Sequence, residues 1–386
     1  MDFEFTDKQR MVKDTIRKIM RREIIPVASE YDRTKALFDS VILKDLLDIL
    51  VPLGYLSHVI PEEEGGAGMD FITYGILMEE LFGAYASLAM LVGTEIIACI
   101  VYEMGTPEQK KKFLRPVMTG EKIWCTAVTE PNAGSSTADI ETTAVLDGDD
   151  YVINGTKVWI SAGSISDVAL VLAKIEQDSE KAGLCHILVD REVSPYEATE
   201  LPKLGVRSCP TSELIFKDCR VPKENLLVAP GAGLKQILHI FELPRCQLCI
   251  GATGIAQAAL DASIEYATQR YQFGKPIGSF QLIQQMIADM YADIEAARYL
   301  AYKGFYMLDK RVRCDKETSA AKSFGTEMAV RVTSLALRIH GANGLSEEYP
   351  VERYARDARS LTIPDGTTQI QKLIVARSLL GIDAFR

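Results

Sequence analysis

The spacing of apolar positions changes character twice along the chain. Up to about residue 120 it is helical. Ile16, Ile19, Met20 and Ile24 fall on one helical face, and Thr6 followed by Gln9 predicts a capping box ahead of it. Pro61, Gly65 and Gly66 mark a loop. Leu77, Leu81 and the run from Met90 to Tyr102 predict a buried helix that stops near Gly105, and Thr106-Pro107 opens the next. From about 121 to 230 strand and turn signals take over. TTAVL, Asp147-Gly148 and YVIN predict a hairpin, and Asn154-Gly155 before KVWI predicts a second. VALVLA (168–173), HILV (186–189) and ELIF (213–216) are further strand runs. From about 235 the helical spacing returns. Leu282, Met286, Met290, Ile294 and Ala297 share one face of a long helix beginning near Gln281.

These zones predict an α+β fold in three parts. Residues 1–120 form an N-terminal helical domain, 121–232 a β sandwich or barrel, and 233–386 a C-terminal helical bundle.

Composition narrows the function by exclusion. A net charge of −10 with no Lys/Arg-rich run argues against a nucleic-acid surface. No uninterrupted apolar stretch is long enough to span a bilayer. The start MDFEFTDKQR lacks the basic region and apolar core of a signal peptide, so the cytoplasm is the expected compartment. The eight cysteines are scattered in apolar contexts and read as free, buried thiols in a reducing compartment. Cys246 and Cys249 form a C-x-x-C without the second pair that a zinc site requires, and read as core thiols on a helix. No phosphate-binding P-loop is present, and no strand leads into G-x-G-x-x-G. The histidines are isolated, and His186 in a strand run reads as a core residue. Metal-dependent hydrolysis and Ser-His catalysis therefore fall away. Residue spacing alone stops at a soluble, enzyme-sized α+β protein.

Six segments carry more. They are CTAVTEPNAGSST (125–137), KVWISAG (157–163), LGVRSCPTSELIFKDCRVP (204–222), RYQFGKPIGSFQ (270–281), RIHGANG (338–344) and RDARSLTIPDGTTQIQ (356–371). In order and spacing they resemble the FAD-dependent acyl-CoA dehydrogenases over essentially the whole chain. The resemblance implies that Thr129 and Ser135 meet flavin, pyrophosphate or acyl-CoA, that Trp159 packs on the isoalloxazine, and that Ser161 bonds near its N5. It implies that Arg270, Phe273 and Gln281 reach the FAD of a neighbouring subunit, with Gly341, Thr367 and Gln369 holding the cofactor. A homotetramer built as a dimer of dimers and an electron-transfer flavoprotein as partner follow from the same resemblance. Taken singly, Trp159 also suits a core aromatic at a strand end, and Arg270 a solvated charge at a helix end.

In this family a Glu removes the proton next to the thioester carbonyl, from one of two places. Here one place is Asp365, in Pro364-Asp365-Gly366-Thr367, and the other is Pro244, which cannot act as a base. Glu242, Arg245 and Gly366 match positions that touch the substrate. Asp365 is one methylene shorter than Glu, a retreat of about 1.5 Å. Two explanations are open: an acyl group bulky at the reacting carbon, cyclic or branched, or a different outcome such as a redox-neutral lyase. A carrier-protein thioester in place of CoA and a non-catalytic binder are further alternatives. Asp is also a favoured helix N-cap. Departures from the family pattern occur at Ser136-Thr137, Arg338 and Ala342. The stretch Met90 to Glu95 is expected to line the acyl end of the pocket.

Overall fold

The computed structural model describes residues 4–93, 96–175, 183–228 and 242–384. Glu95, the Gly231-Gly233 turn, His239 and Phe241 lie outside the described residues.

Helix α1 (Asp7–Ile19) begins at the expected capping box: Thr6 Oγ1 accepts from Gln9 N, and Gln9 Oε1 accepts from Thr6 N. A π-helical turn (Met20–Ile24) leads into α2 (Ile25–Thr34) and keeps Ile16, Met20 and Ile24 buried. Asp39 caps α3 (Ser40–Leu50). The run expected as one helix from Met90 is divided between α4 (Phe71–Val92) and α5 (Ile96–Met104). Thr106 opens α6 (Pro107–Gln109) with a second capping box, and α7 (Arg115–Met118) closes this part.

Eight strands follow among the described residues: β1 (Trp124–Ala127), β2 (Thr143–Asp147), β3 (Asp150–Ser161), β4 (Val168–Ile175), β5 (Gly183–Asp190), β6 (Glu197–Glu200), β7 (Thr211–Pro222) and β8 (Leu226–Val228). They join in one mixed sheet of order β6-β7-β3-β2-β4-β5-β8, with β1 parallel to β4. The Asp147-Gly148 hairpin forms between β2 and β3. The Asn154-Gly155 hairpin does not. Strand β3 runs straight through it, and β7 bulges opposite, between Phe216 and Cys219. Asn154 spends its side chain across the strands, accepting from Asp218 N at 2.8 Å. Gly155 is needed for close approach, because a Cβ there would lie 2.3 Å from Thr142 Oγ1.

The C-terminal part comprises α8 (Glu242–Gln269), a β9–β10 hairpin (Tyr271–Gln272, Lys275–Pro276), α9 (Gln281–Asp309), α10 (Asp315–His340), α11 (Val351–Ser360) and α12 (Thr368–Leu380). The buried face of α9 starts later than its sequence suggests. Met290, Ile294 and Ala297 are buried and continue into Ala301 and Phe305, whereas Leu282 is 71% exposed. Helix α4 is long and apolar enough to cross a membrane by length and composition, yet it packs as a core helix. A Cβ at its Gly83 would meet Gly254 O of α8 at 2.9 Å. The two helical parts share one core, part of the sheet keeps its own, and β1, β4, β5 and β8 also pack in a third core with α5 and α7. Cys246 and Cys249 are buried on α8, as expected, and no group of three metal-ligating side chains occurs among the described residues.

Candidate functional site

Three of the eight non-glycine residues with positive φ among the described residues are Trp159 (62°), Phe273 (52°) and Asp365 (55°). Bulky side chains avoid this region, and such strain concentrates where function over-determines the backbone. All three had been singled out from the sequence.

Trp159 sits where β3 carries one residue more than β7, between Lys157 and Ile160. A bulge of this kind re-aims a side chain. It leaves the indole 58% exposed, so Trp159 is not the core aromatic that its position alone would suggest. Ser161 follows two residues on, paired with Thr211. Thr129 is drawn to the same place, its carbonyl accepting from Val158 N at 2.9 Å. The loop holding Thr129 is fixed from inside. Lys157, fully buried, donates to Val128 O at 3.0 Å and to Glu130 Oε1 at 2.8 Å, and Glu130 also accepts from Thr142 N. Burial brings Lys157 down to about 8 against the opposing pull of Glu130. An exposed flat aromatic beside hydroxyl donors, on a rigid strand, fits a flavin ring. Ser135 stands exposed on the loop beyond, and Ser136 bonds Asp139.

The second constellation is the turn between α11 and α12. Thr367, not Asp365, caps α12, its hydroxyl accepting from Ile370 N at 3.4 Å. Asp365 is therefore free of the capping role, and Gly366 continues the left-handed turn at φ 87°. Gln371 Nε2 donates to Asp365 O at 2.8 Å and Gly366 O at 3.1 Å. Lys322, reaching from α10, donates to Gly366 O at 2.6 Å and Thr362 O at 3.3 Å. Burial raises the Asp365 carboxyl above its ordinary 3.8, while Lys322 and then Arg245 pull it back. Arg245 and Glu242 lie buried on the first turn of α8, with Pro244 between them. Cys314 Sγ donates to Glu242 Oε2 at 3.5 Å. Gln369 is exposed.

Arg270, Phe273 and Gln281 gather on the β9–β10 hairpin and the start of α9, at the far end of α8 from Arg245. All three are exposed, Phe273 to 92%. Gly341 belongs to this end: it follows His340, whose ring stacks on Tyr266 of α8 at 4.3 Å. The buried lysines 157 and 322 were missed from the sequence. The visible signal for Lys322 was a long charged side chain on a stripe of small residues, since it falls between Thr318 and Gly325, both buried.

Known proteins share this fold and sequence. Three family descriptions match in order: "Acyl-CoA dehydrogenase, N-terminal domain" over residues 6–121, the middle domain over 125–219, and the C-terminal domain over 231–380. The protein named "Probable acyl-CoA dehydrogenase YngJ" of Bacillus subtilis is 39% identical, covering 98% of this chain and 100% of its own. The structure of butyryl-CoA dehydrogenase from Megasphaera elsdenii superposes with a TM-score of 0.92 at 33% identity, over 98% of this chain and 100% of that one. A glutaryl-CoA dehydrogenase from Mycobacterium smegmatis in complex with FADH2 gives 0.91 at 27% identity, over 99% and 97%. Fold, site and relatives define an oxidoreductase acting on acyl-CoA. The chain belongs to the acyl-CoA dehydrogenase family, whose members depend on FAD.

Proposed function

We propose that this acyl-CoA dehydrogenase removes hydrogens from the α and β carbons of its substrate with Asp365 as the α-proton base. The observation that carries the reading is the Asp365 turn. It is a carboxylate on a strained, internally clamped backbone, held above its ordinary acidity range by burial and flanked by two cations. A general base works best when its pKa lies near the operating pH, and burial moves Asp365 in that direction. Pro244 leaves the family's alternative position without a base. Bound FAD supplies the acceptor for the β-hydride at its N5. Trp159, Ser161 and Thr129 orient the flavin ring, with Ser135, Thr367 and Gln369 on the remainder of the cofactor or substrate. Glu242, Arg245 and Gly366 contact the acyl-CoA. The Asp365 backbone N–H donates to the thioester oxygen as negative charge develops there.

Arg270 lies one residue past the end of α8, whose span from Arg245 to Gln269 is about 36 Å at 1.5 Å per residue. The place of Arg270, Phe273, Gln281 and Gly341 at the remote end of α8 supports the family's arrangement, in which these residues serve the FAD of a neighbouring subunit in a homotetramer. The short Asp365 side chain favours an acyl group with a ring or branch at the reacting carbon, and an electron-transfer flavoprotein takes the electrons.

Anaerobic mixing of the flavoprotein with straight-chain, branched and alicyclic acyl-CoAs tests this. Flavin bleaching with an enoyl-CoA product, fastest for a ring or branch, is the expected result. Product without bleaching points to a lyase, turnover only of a carrier-protein thioester to that carrier, and no turnover to a binder.

A further inference from the structure

Lys322 is the feature of this site that the reaction does not use directly. Its side chain is 0% exposed, on a helix otherwise lined there by Thr318, Ala321, Gly325 and Thr326. A buried ammonium is costly unless its donors are satisfied. Here they are spent on two carbonyls that bracket the base, those of Thr362 and Gly366. We infer that Lys322 is the positioning residue of the catalytic turn: it ties both ends of the segment Thr362–Gly366 to α10, so that Asp365 is held at its left-handed φ, and it contributes positive charge to the surroundings of the carboxylate.

The geometry makes the two effects separable. Gln371 secures the same turn from α12, bonding Asp365 O and Gly366 O. Without Lys322 the turn keeps its fastenings to α12, from Gln371 and from Thr368 N, which donates to Thr362 O at 3.2 Å, and loses its fastening to α10. The carboxylate then moves within its site, and a displacement of about 1 Å costs on the order of 100-fold in rate. The charge acts independently. Asp365 faces Lys322 of α10 and Arg245 of α8; Lys322 in turn faces Asp365, Arg245 and Glu327, and Arg245 faces Glu242 and Asp315. Lys322 opposes the effect of burial on Asp365 more strongly than Arg245 does. Burial lowers Lys322 itself to about 8, so it carries its proton at neutral pH. Removing the charge moves the ionisation of Asp365 to higher pH. An opposite charge at close range shifts a carboxyl by about 1–3 pH units.

The inference rests on Asp365 as the base, and three variants keep the two claims apart. Lys322→Met retains the length of the side chain without donors or charge. Lys322→Gln retains donors without charge. Asp365→Asn tests the base alone. Each is purified as the FAD-loaded enzyme, and flavin content and absorption spectrum confirm the assembled site. The pH profiles of kcat and kcat/KM are then recorded on the best acyl-CoA. Lys322→Met is expected to lower kcat about 100-fold with KM changed much less, and to move the acid limb of kcat/KM up by one pH unit or more. Lys322→Gln is expected to show the same pH shift with a smaller loss of kcat, and it stands in for Lys322→Met if that variant does not fold. If Asp365→Asn is inactive while both Lys322 variants keep the parent kcat and acid limb, the positioning role is wrong and the base stands. If Asp365→Asn keeps full activity, the base assignment is wrong and this inference falls with it.

Discussion

Lys157 Nζ lies 2.8 Å from Glu130 Oε1, and neither side chain reaches solvent appreciably. The pair joins the strand that carries Trp159 to the loop that carries Thr129. Removing one partner of a buried pair leaves the other charge uncompensated, at about 3–5 kcal/mol. Lys157→Met is therefore expected to lower the melting temperature sharply and to release flavin, measured by calorimetry and flavin fluorescence. The double variant Lys157→Met, Glu130→Leu is expected to recover part of that loss, because no unpaired charge remains.

Trp159 contributes little to the fold, since its indole is more than half exposed on a bulge. Trp159→Ala is expected to leave the unfolding free energy of the flavin-free protein within about 0.5 kcal/mol of the parent, as surface substitutions do. It should weaken FAD binding clearly, as read by fluorescence titration. Equal FAD affinity in the two proteins would assign the exposed ring elsewhere.

Phe273, the most exposed large apolar side chain among the described residues, sits beside Phe280 at a ring separation of 6.1 Å. Phe273→Ser is expected to leave secondary structure intact while shifting the assembly towards smaller species in sedimentation velocity and lowering flavin content per chain.

Burial holds the His186 imidazole at about 4, against 6.5 in an unfolded chain. Between those values the unfolded chain binds a proton that the folded one refuses. Stability from this residue is thus complete above pH 6.5 and is lost as pH falls towards 4, by up to about 3 kcal/mol. His58, held at about 3 by burial, acts in the same direction. In His186→Leu the fall in melting temperature from pH 7 to pH 5 is expected to be smaller than in the parent.

The sequence announced the helical and strand zones because apolar spacing reports burial, and burial built those elements. It misreported Asn154-Gly155 because the dipeptide has two uses: a turn, or a point where Asn bridges strands and Gly admits a neighbour. Only the partner strand decides, and β7 is some sixty residues away, with Asp218 opposite Asn154. The site was legible as motifs, including Asp365, Trp159 and Phe273. Their positive φ was not, because it follows from bulges and turns fixed by tertiary packing. Lys157 and Lys322 stayed hidden because a lysine ordinarily signals solvent. Their roles depend on the carbonyls and carboxylates that the fold places around them.

The central claim is that Asp365 takes the α proton. Its most direct test is the rate of flavin bleaching when Asp365→Asn and the parent, matched in FAD content, are mixed anaerobically with the same acyl-CoA. The account predicts bleaching slowed by about 100- to 10,000-fold in the variant, the usual worth of a positioned base. Bleaching at the parent rate would contradict it.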